Sequence, residues 1–482
     1  MLEAIAHNQL KLLLRGSEAA WPNSLTLCRL VARSLRRQDT SLIEIESANQ
    51  DSWWLGLMFP LAQESSNAVL FLPANKHSRF LNVVLPKLKE FGIIFPIWDS
   101  HQPPPDNQLW LVDEYGLIIA FESGNLNSKQ LIIPEAELIS ENLREAMSIK
   151  IIPEDWENLI RTHPNAESSL LKIHENLSRK FFSKSTRLDD QIAINISELL
   201  PLKDLITFLK NHPKPWNKLA NLETLEWASW ATLNYKTLTW NLNLKPIDPL
   251  LQVKSLFKQV PTIFITSSND HTYFLSELRN IELPINVRVN LSGPIIQEPI
   301  PLFIPNRQPL PNSFKFHKHV LDQCSRLILG RSGLTIILLE DEHFRRTLTA
   351  ELASEFGKRV LHQETCPQSN GVICADWSWW LQQQDQLPCP EQVIVVLLPL
   401  TSLTSPLMAA RVSSYKRAGR DWFRDLLLPE SLNVLSRAVL PLRKCPTGRL
   451  AILDGRLRSR AWGKDILRML EPWTPLHHLL PD

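Results

Sequence analysis

Glycine is scarce in this chain, with 14 residues in 482. Loops that hold phosphate groups need glycine, because only glycine lets the backbone approach an anion closely in strained conformations. The chain has two Gly-Lys pairs, Gly357-Lys358 and Gly463-Lys464. Leu352 and Arg458 stand five residues before those glycines, so neither pair completes GxxxxGK. The sequence therefore excludes a standard phosphate-binding loop.

Paired cysteines and long apolar runs are also missing. The six cysteines lie far apart without a CxxC, which is typical of a reduced cytoplasmic protein and not of a disulfide framework. Cys366, Cys374 and Cys389 are too irregularly spaced to predict a metal site. No apolar run approaches the ~20 residues of a membrane span, and the N-terminus lacks a signal-peptide pattern. We expect a cytoplasmic protein without a membrane partner or a metal ion.

Positive charge is concentrated near the C-terminus. The chain has a formal charge of +2, but residues 407–470 hold 14 Lys and Arg against five Asp and Glu. This asymmetry predicts an anionic partner, DNA or another nucleic acid. A solvated basic face, with arginines paired to Asp421, Asp425, Asp454 or Asp465, is the alternative.

The pattern of apolar runs predicts an α/β protein with two similar domains. Strand-length runs occur at 41–45, 68–73, 109–112, 117–121, 131–133, 261–266, 334–339, 371–375, 393–398 and 450–453. Helical periodicity separates many of them, which favours parallel sheets. We divide the chain into a first domain (1–135), a helical insertion (136–235), a return to the first domain (236–282), a Pro-rich connection (283–312) and a second domain (313–482).

The C-terminal segment resembles the DinG/XPD-type superfamily 2 DNA helicases. LLPL (Leu397–Leu400) leads to SPL (Ser405–Leu407), then to YKRAGRDWFRDLLLPE and AILDGRLRSRAWGKDIL. The last segment matches the family pattern LDxRLxxxxYGxxxL, with Trp462 in place of tyrosine. LTLCRLVARSLRR, MFPLA (Met58–Ala62) and VLFLP (Val69–Pro73) extend a weaker resemblance to the N-terminal part. The resemblance implies two RecA-like parallel-sheet domains, with a helical insertion in the first.

The family's ATP-binding elements are degenerate here. Aligning MFPLA with the family helix places Ser52 and Trp53 where the phosphate loop normally carries its Lys-Ser/Thr. In the Walker B position, Glu135 persists after the strand, but Pro134 replaces the aspartate that holds magnesium. In the best-matching register of the arginine-finger motif, Pro441 replaces the finger and Lys444 replaces the second arginine.

Two kinds of metal site remain to be considered. Asp113-Glu114, at the end of another strand, could bind a metal ion, although solvated loop acids are the commoner explanation. Many family members bind an iron–sulfur cluster in the first domain through four cysteines. Cys28 is the one cysteine in the first 300 residues, so we expect no such cluster.

The sequence thus predicts a helicase-like pseudoenzyme without catalytic residues, ATP, Mg²⁺ or other cofactors. The expected nucleic-acid-binding residues are Lys416, Arg417, Arg420, Arg424, Arg456, Arg458 and Arg460. Arg417, Arg420 and Arg424 are predicted to share one helix face, with Gly419 able to end that helix. Trp53, Trp54, Trp377, Trp379 and Trp380 are expected in the core, the first two filling the lost nucleotide pocket, and stacking on the bases of a single strand is the alternative. An active ATP-dependent DNA helicase and a protein-binding scaffold without nucleic-acid contact are the alternatives.

Overall fold

A computed structural model describes ten segments of the chain. They are residues 2–15, 21–45, 53–92, 94–105, 107–184, 190–210, 212–222, 227–266, 272–291 and 298–476. Within these segments no helix combines the length and the apolar character that a membrane crossing requires.

The N-terminal part alternates helices with short buried strands. Its elements are α1 (Leu2–Leu13), α2 (Ser24–Arg37), β1 (Ser41–Glu44), α3 (Trp54–Gln63), β2 (Ala68–Phe71), α4 (Ala74–Arg79), α5 (Leu85–Lys89), β3 (Ile97–Asp99), β4 (Leu109–Val112), α6 (Glu114–Glu122), β5 (Gln130–Ile133) and α7 (Ile139–Met147). β1, β2, β4 and β5 are buried at every residue, as expected for strands covered by helices on both faces.

An insertion follows, built from helices and an antiparallel sheet. It contains β6 (Ile149–Ile151), α8 (Pro153–Thr162), α9 (Glu167–Lys184), β7 (Gln191–Ala193), α10 (Ile196–Phe208), α11 (Trp216–Ala220), β8 (Trp227–Asn234) and β9 (Thr239–Pro246). The strands lie in the order β6-β9-β8-β7. The helical periodicity indicated the helices but not this sheet. Its last strand, β9, lies entirely beyond the expected boundary at residue 235.

The chain then returns to the first domain. The returning elements are α12 (Pro249–Gln252), α13 (Lys254–Gln259), β10 (Thr262–Thr266), α14 (Thr272–Asn280) and β11 (Val287–Asn290). The resulting seven-stranded sheet has the order β11-β1-β10-β5-β2-β4-β3, and neighbouring strands are parallel.

The second domain has its own seven-stranded parallel sheet. Its elements are β12 (Ile300–Phe303), α15 (Phe316–Ile328), β13 (Thr335–Leu338), α16 (Glu342–Phe356), β14 (Val360–His362), β15 (Val372–Ala375), α17 (Trp377–Gln383), β16 (Gln392–Val395), α18 (Pro406–Arg417), α19 (Leu428–Val439), β17 (Arg449–Ile452), α20 (Arg456–Ser459), α21 (Gly463–Met469) and β18 (Trp473–Pro475). The strand order is β14-β15-β13-β16-β17-β12-β18. The two parallel sheets confirm the expected fold class.

The predicted strand at 117–121 is wrong, because this run lies within helix α6. Short apolar runs do not separate a buried strand from a buried helix by periodicity. Here the Asp113 carboxylate accepts a hydrogen bond of 2.7 Å from the Gly116 backbone N–H and caps the helix. The cap directs the chain into a helix as soon as β4 ends.

The Pro-rich segment 283–312 contributes strands to both parallel sheets, in addition to connecting the domains. β11 pairs with β1 at the edge of the first sheet, and β12 lies between β17 and β18 in the second. Each sheet therefore takes a strand from residues 283–312, which were expected to be extended between the domains.

A cluster of mostly buried polar side chains lies where α7 and α14 of the first domain meet α18 and α19 of the second. We call it the interdomain cluster; its members are Ser140, Arg144, Tyr273, Glu277, Arg411 and Glu430. The Ser140 hydroxyl donates a hydrogen bond of 2.7 Å to Glu277. Burial raises the pKa of Glu277 to about 7, and the charge of Asp248 acts in the same direction. The charges of Arg144 and Arg411 act to lower this pKa, but their effect is smaller.

Ionisation of Glu277 should make the protein less stable at alkaline pH than at acidic pH. Its folded-state pKa lies above the value of 4.5 for an unperturbed glutamate, so its contribution is fully present below that value. The contribution is lost as the pH rises through about 7. Between pH 5.5 and 8.5 the linkage relation gives a loss of ~2 kcal/mol in the free energy of unfolding.

Urea unfolding of the wild type and of Glu277→Gln at both pH values checks this. The glutamine side chain keeps the hydrogen bond to Ser140 in reach but cannot titrate. We expect the variant to lose most of the pH dependence that the wild type shows. An unchanged pH dependence in the variant would contradict the assignment to Glu277.

Candidate nucleotide cleft and basic surface

The carboxyl ends of β2 and β5 border a small cleft in the first domain. Open parallel sheets bind ligands at this edge, beyond the ends of their strands. The cleft has a volume of about 40 Å³, against ~300–1,000 Å³ for typical ligand pockets. Trp54, Lys76, Arg79, Phe80 and Glu135 line it, and Asp385 reaches it from the second domain. Little space remains between these side chains in this arrangement.

Two stacked tryptophans lie at the start of α3, at the positions that the sequence alignment compares with the phosphate loop of the helicase family. Trp53 and Trp54 are 4% and 7% exposed at the start of α3. Their ring centroids are 4.5 Å apart, and Trp54 also packs on Phe80 at 5.0 Å. Ser52 lies outside the described residues. The burial of Trp53 agrees with the hypothesis that the pair fills the former pocket, whereas an exposed Trp53 would have removed that hypothesis.

Glu135 follows β5, and its negative charge lies close to positive charges of the same chain. It adopts a left-handed conformation, with a φ of 50°, and its carboxylate accepts a hydrogen bond from the Lys76 ammonium. Burial acts to raise the pKa of Glu135, but Lys76 and then Arg437 outweigh it, and the net pKa is lowered. The carboxylate is therefore ionised and held by cations of this chain.

Arg437 is a site residue that the sequence comparison missed. It belongs to α19 of the second domain and acts electrostatically on Glu135 of the first. Pro441, in the expected finger position, lies in the 3-10 turn Leu440–Lys444 that follows α19. The spacing between Arg437 and Pro441 could have identified this residue, because residues four apart share a helix face. Arg437 lies one turn before Pro441.

The acidic pair Asp113-Glu114 is engaged in local structure. Besides capping α6, Asp113 lies 3.1 Å from the His101 ring. The Glu114 carboxylate accepts a hydrogen bond of 3.1 Å from the Ala74 backbone N–H. In the described segments no three His, Cys, Asp or Glu side chains form a group suited to a metal ion. These contacts give the pair a structural role.

The predicted helix face of Arg417, Arg420 and Arg424 is wrong, because α18 ends at Arg417. Gly419 has a φ of 68°, and the backbone N–H groups of Gly419 and Arg420 donate to the carbonyls of Lys416 and Tyr415. This is the Schellman pattern of helix termination, in which glycine takes the left-handed position. Arg420 lies in the following turn, and Arg424 in the π-helical segment Phe423–Leu427.

Two of the predicted nucleic-acid-binding arginines are held by carboxylates. Arg456 forms a bidentate pair with Asp454, which is fully buried, at distances down to 2.6 Å. Arg420 lies 3.5 Å from Asp425 and 4.5 Å from the Tyr415 ring centroid. For these two the alternative of paired arginines holds, and we treat them as structural.

The other five predicted cations lie at the surface. Arg424 has 80% of its side chain exposed, at 3.9 Å from Asp421. The Lys416 ammonium lies 5.5 Å from the Trp422 ring centroid. The exposed Arg458 donates a hydrogen bond to the Ile304 carbonyl. Arg417 and Arg460 are exposed as well.

A row of aromatic side chains joins the two basic segments. Phe423 lies 6.1 Å from Trp422 and 5.9 Å from Trp462, measured between ring centroids. Trp422 follows Lys416 and Arg417, whereas Trp462 follows Arg458 and Arg460. The contacts of Phe423 thus link two segments that are distant in sequence and carry exposed cations. We call Lys416, Arg417, Arg424, Arg458 and Arg460, with this aromatic row, the basic surface.

No protein-family model matches the chain. The ATP-dependent DNA helicase YoaA of Escherichia coli K12 is 32% identical over 135 residues, which are 27% of this chain and 21% of YoaA. YoaA of Haemophilus influenzae is 30% identical over 133 residues, with the same two coverages. The matched stretch thus spans about a fifth of these curated relatives. The structure of S. tokodaii Xpd4 covers 95% of this chain and 100% of its own, with a TM-score of 0.61 at 11% identity, which shows a shared fold.

Replacing Trp54 by alanine should destabilise the first domain strongly. The change removes a 7%-exposed ring that packs on both Trp53 and Phe80, and it leaves a cavity beside the cleft. Such truncations cost ~3–5 kcal/mol. Chemical unfolding measures the loss, and Trp379→Ala, at a half-buried tryptophan of the second domain, serves as the control with a smaller expected effect. Equal losses for both variants would contradict a space-filling role of the pair.

Proposed function

Because this chain is a relative of the DinG/XPD-type superfamily 2 DNA helicases, we propose that it keeps their fold, has lost ATP hydrolysis and acts as a nucleic-acid-binding or accessory protein. The observation that supports the proposal is the burial of Trp53, which the sequence alignment compares with the lysine of the phosphate loop. Catalysis of phosphoryl transfer depends on positioning and on neutralising the phosphates. A buried indole ring supplies neither backbone donors nor charge.

The electrostatics of the cleft support the same proposal. Lys76 is paired with Glu135, which in an active enzyme of the family would have to orient the attacking water. Arg437 approaches from the second domain, where such enzymes place an arginine that stabilises the transition state. Here it acts on a glutamate that Lys76 already holds. Glu135 thus gives Lys76 and Arg437 an anionic partner that belongs to this chain.

The basic surface is the proposed site of nucleic-acid binding. Its five cations can contact phosphates, and exposed lysine and arginine bind such groups without regard to sequence. Trp422, Phe423 and Trp462 are half-buried, so part of each ring is available beside the cations. We extend the proposal to DNA, as the name of the curated relatives indicates for them, and to a cytoplasmic location, which the six free cysteines favour.

The purified protein should bind single-stranded DNA in a salt-sensitive manner and should not turn over ATP. With about five phosphate contacts, raising the salt from 50 to 200 mM weakens single-strand binding by roughly 100-fold. Fluorescence anisotropy at both salt concentrations and a DNA-stimulated ATPase assay measure the two properties. ATP turnover would refute the loss of hydrolysis and return attention to Asp113, Glu114 and Glu135. The absence of both activities would favour the protein-binding scaffold.

Charge reversal should separate the basic surface from general electrostatics. The double variant Arg458→Glu and Arg460→Glu removes two proposed phosphate contacts, and we expect about tenfold weaker binding or more. The matched control, Arg326→Glu with Arg346→Glu, makes the same change in net charge at arginines of α15 and α16 that are 63% and 66% exposed. Equal weakening by both variants would show that net charge, and not this surface, determines binding.

A further inference from the structure

The two domains meet through an apolar contact at α14, α18 and α19. Tyr273 of α14, in the first domain, belongs to one buried cluster with four side chains of the second domain. These are Met408, Val412, Leu426 and Leu427, each less than 9% exposed. Relative domain motion is the usual expectation for a two-domain chain unless the interface is large and apolar. The packing of Tyr273 departs from that expectation.

An ion pair lies inside this contact, with its arginine buried and 25% of its glutamate side chain exposed. Arg411 is 5% exposed and donates hydrogen bonds of 2.6 and 3.2 Å to the two carboxylate oxygens of Glu430. The same guanidinium donates a hydrogen bond of 2.9 Å to the Tyr273 hydroxyl across the interface. Burial raises the pKa of Tyr273 well above its usual value, so this hydroxyl is neutral and accepts the bond.

Separation of the domains would take away a partner that this ion pair uses. A buried charge is stable only when its hydrogen-bonding groups are satisfied. The charge of Arg411 acts to lower the pKa of Arg144 and that of Glu277. The charges therefore form one network. The interdomain cluster therefore favours the docked arrangement.

Additional contacts extend the same junction on both sides. At its outer edge Arg420 donates a hydrogen bond of 3.3 Å to the side chain of Asn280, the last residue of α14. α18 also lies against β7 and β8 of the insertion. At the cleft, Arg437 of α19 acts on Glu135. The second domain is thus held to the first domain and to the insertion.

We propose that the interdomain cluster is a permanent joint that keeps the second domain docked on the first without a nucleotide. Each contact of the joint is made by this chain's own side chains. The joint does not depend on the proposed loss of ATP hydrolysis, since it acts at α14 and α18 and not in the cleft alone. It holds α18, which ends in Lys416 and Arg417, in a fixed position against the insertion.

Distances between spin labels on the two domains test the joint. One label is placed at Ser123→Cys, exposed in the first domain, and the other at the exposed Cys366 of the second. Cys389 and Cys445 are changed to serine, and Cys28, Cys324 and Cys374 are buried. Distances are measured in the full chain alone, with a single-stranded oligonucleotide, and with a magnesium complex of a non-hydrolysable ATP analogue. We expect one narrow distribution that is the same in all three samples.

The joint variant is Arg411→Met with Glu430→Leu. Replacing both partners leaves neither charge buried alone, so the domains should remain folded. The matched control is Arg346→Met with Glu342→Leu, which removes an exposed ion pair of 2.7 Å within α16. We expect the joint variant to gain longer distances and a broader distribution than the control. If circular dichroism shows that the joint variant does not fold, Tyr273→Phe with Arg420→Ala replaces it.

A broad distribution of label distances in the protein with the unmodified joint would overturn the proposal. A shift of these distances on addition of the nucleotide analogue would also overturn it. So would a joint variant that matches the control. ATP turnover with an unchanged distance distribution would contradict the proposed loss of hydrolysis but leave the joint intact. The two proposals can therefore fail separately.

Discussion

The occupation of the first sheet's carboxyl edge by side chains is the constraint on which the rest of the molecule depends. In a parallel sheet this edge is where backbone N–H groups and helix ends point outward, and it is normally left open for a ligand. Trp53 and Trp54 close part of it here, and their indole rings become part of the core that packs on Phe80. A residue that fills a pocket in this way contributes to stability, and its removal leaves a cavity instead of a binding site.

The balance of charge in the cleft follows from that closure. Lysine and arginine side chains that have no phosphate to bind need another anion, or they remain desolvated at a cost. Glu135 supplies this anion for Lys76, and Arg437 adds to the same field from the second domain. The contact between the domains thus uses the same type of charge pairing as a nucleotide site. The anion is covalently part of the chain, so the pairing does not depend on the concentration of a ligand.

The fold class could be predicted from the sequence because buried parallel strands are short and almost entirely apolar. Runs such as 109–112 and 131–133 were identified for this reason, and both lie in the first sheet. The run 117–121 was misassigned because a helix buried on most sides has the same composition, and the deciding signal was the cap at Asp113. The sheet of the insertion was missed although β8 and β9 form a local hairpin, with Asn234 opposite Thr239. The alternation of buried and half-buried residues along β9 is the signal that the helical interpretation overlooked.

The candidate site was less predictable than the fold. The absence of a GxxxxGK motif could be read directly from the sequence, and the loss of the phosphate loop stays a prediction. The partners of each arginine could not be read in this way, because Arg456 and Arg458 differ by two positions and yet one is neutralised by Asp454 and the other is exposed. Likewise, Phe423 and Trp462 are separated by a strand and several helices, and no periodicity brings them together.

The Asp454–Arg456 pair has a consequence for how relationships of this kind are detected. Asp454 is fully buried and accepts a hydrogen bond of 2.9 Å from the Leu398 backbone N–H, in addition to the pair with Arg456. It therefore ties the end of β17 to the segment after β16, and the second sheet needs it whether or not any reaction takes place. The motif that carries most of the resemblance to the helicase family is thus one that the architecture requires for itself. Residues of this type report descent, whereas chemistry has to be read from the positions that the fold leaves free to change.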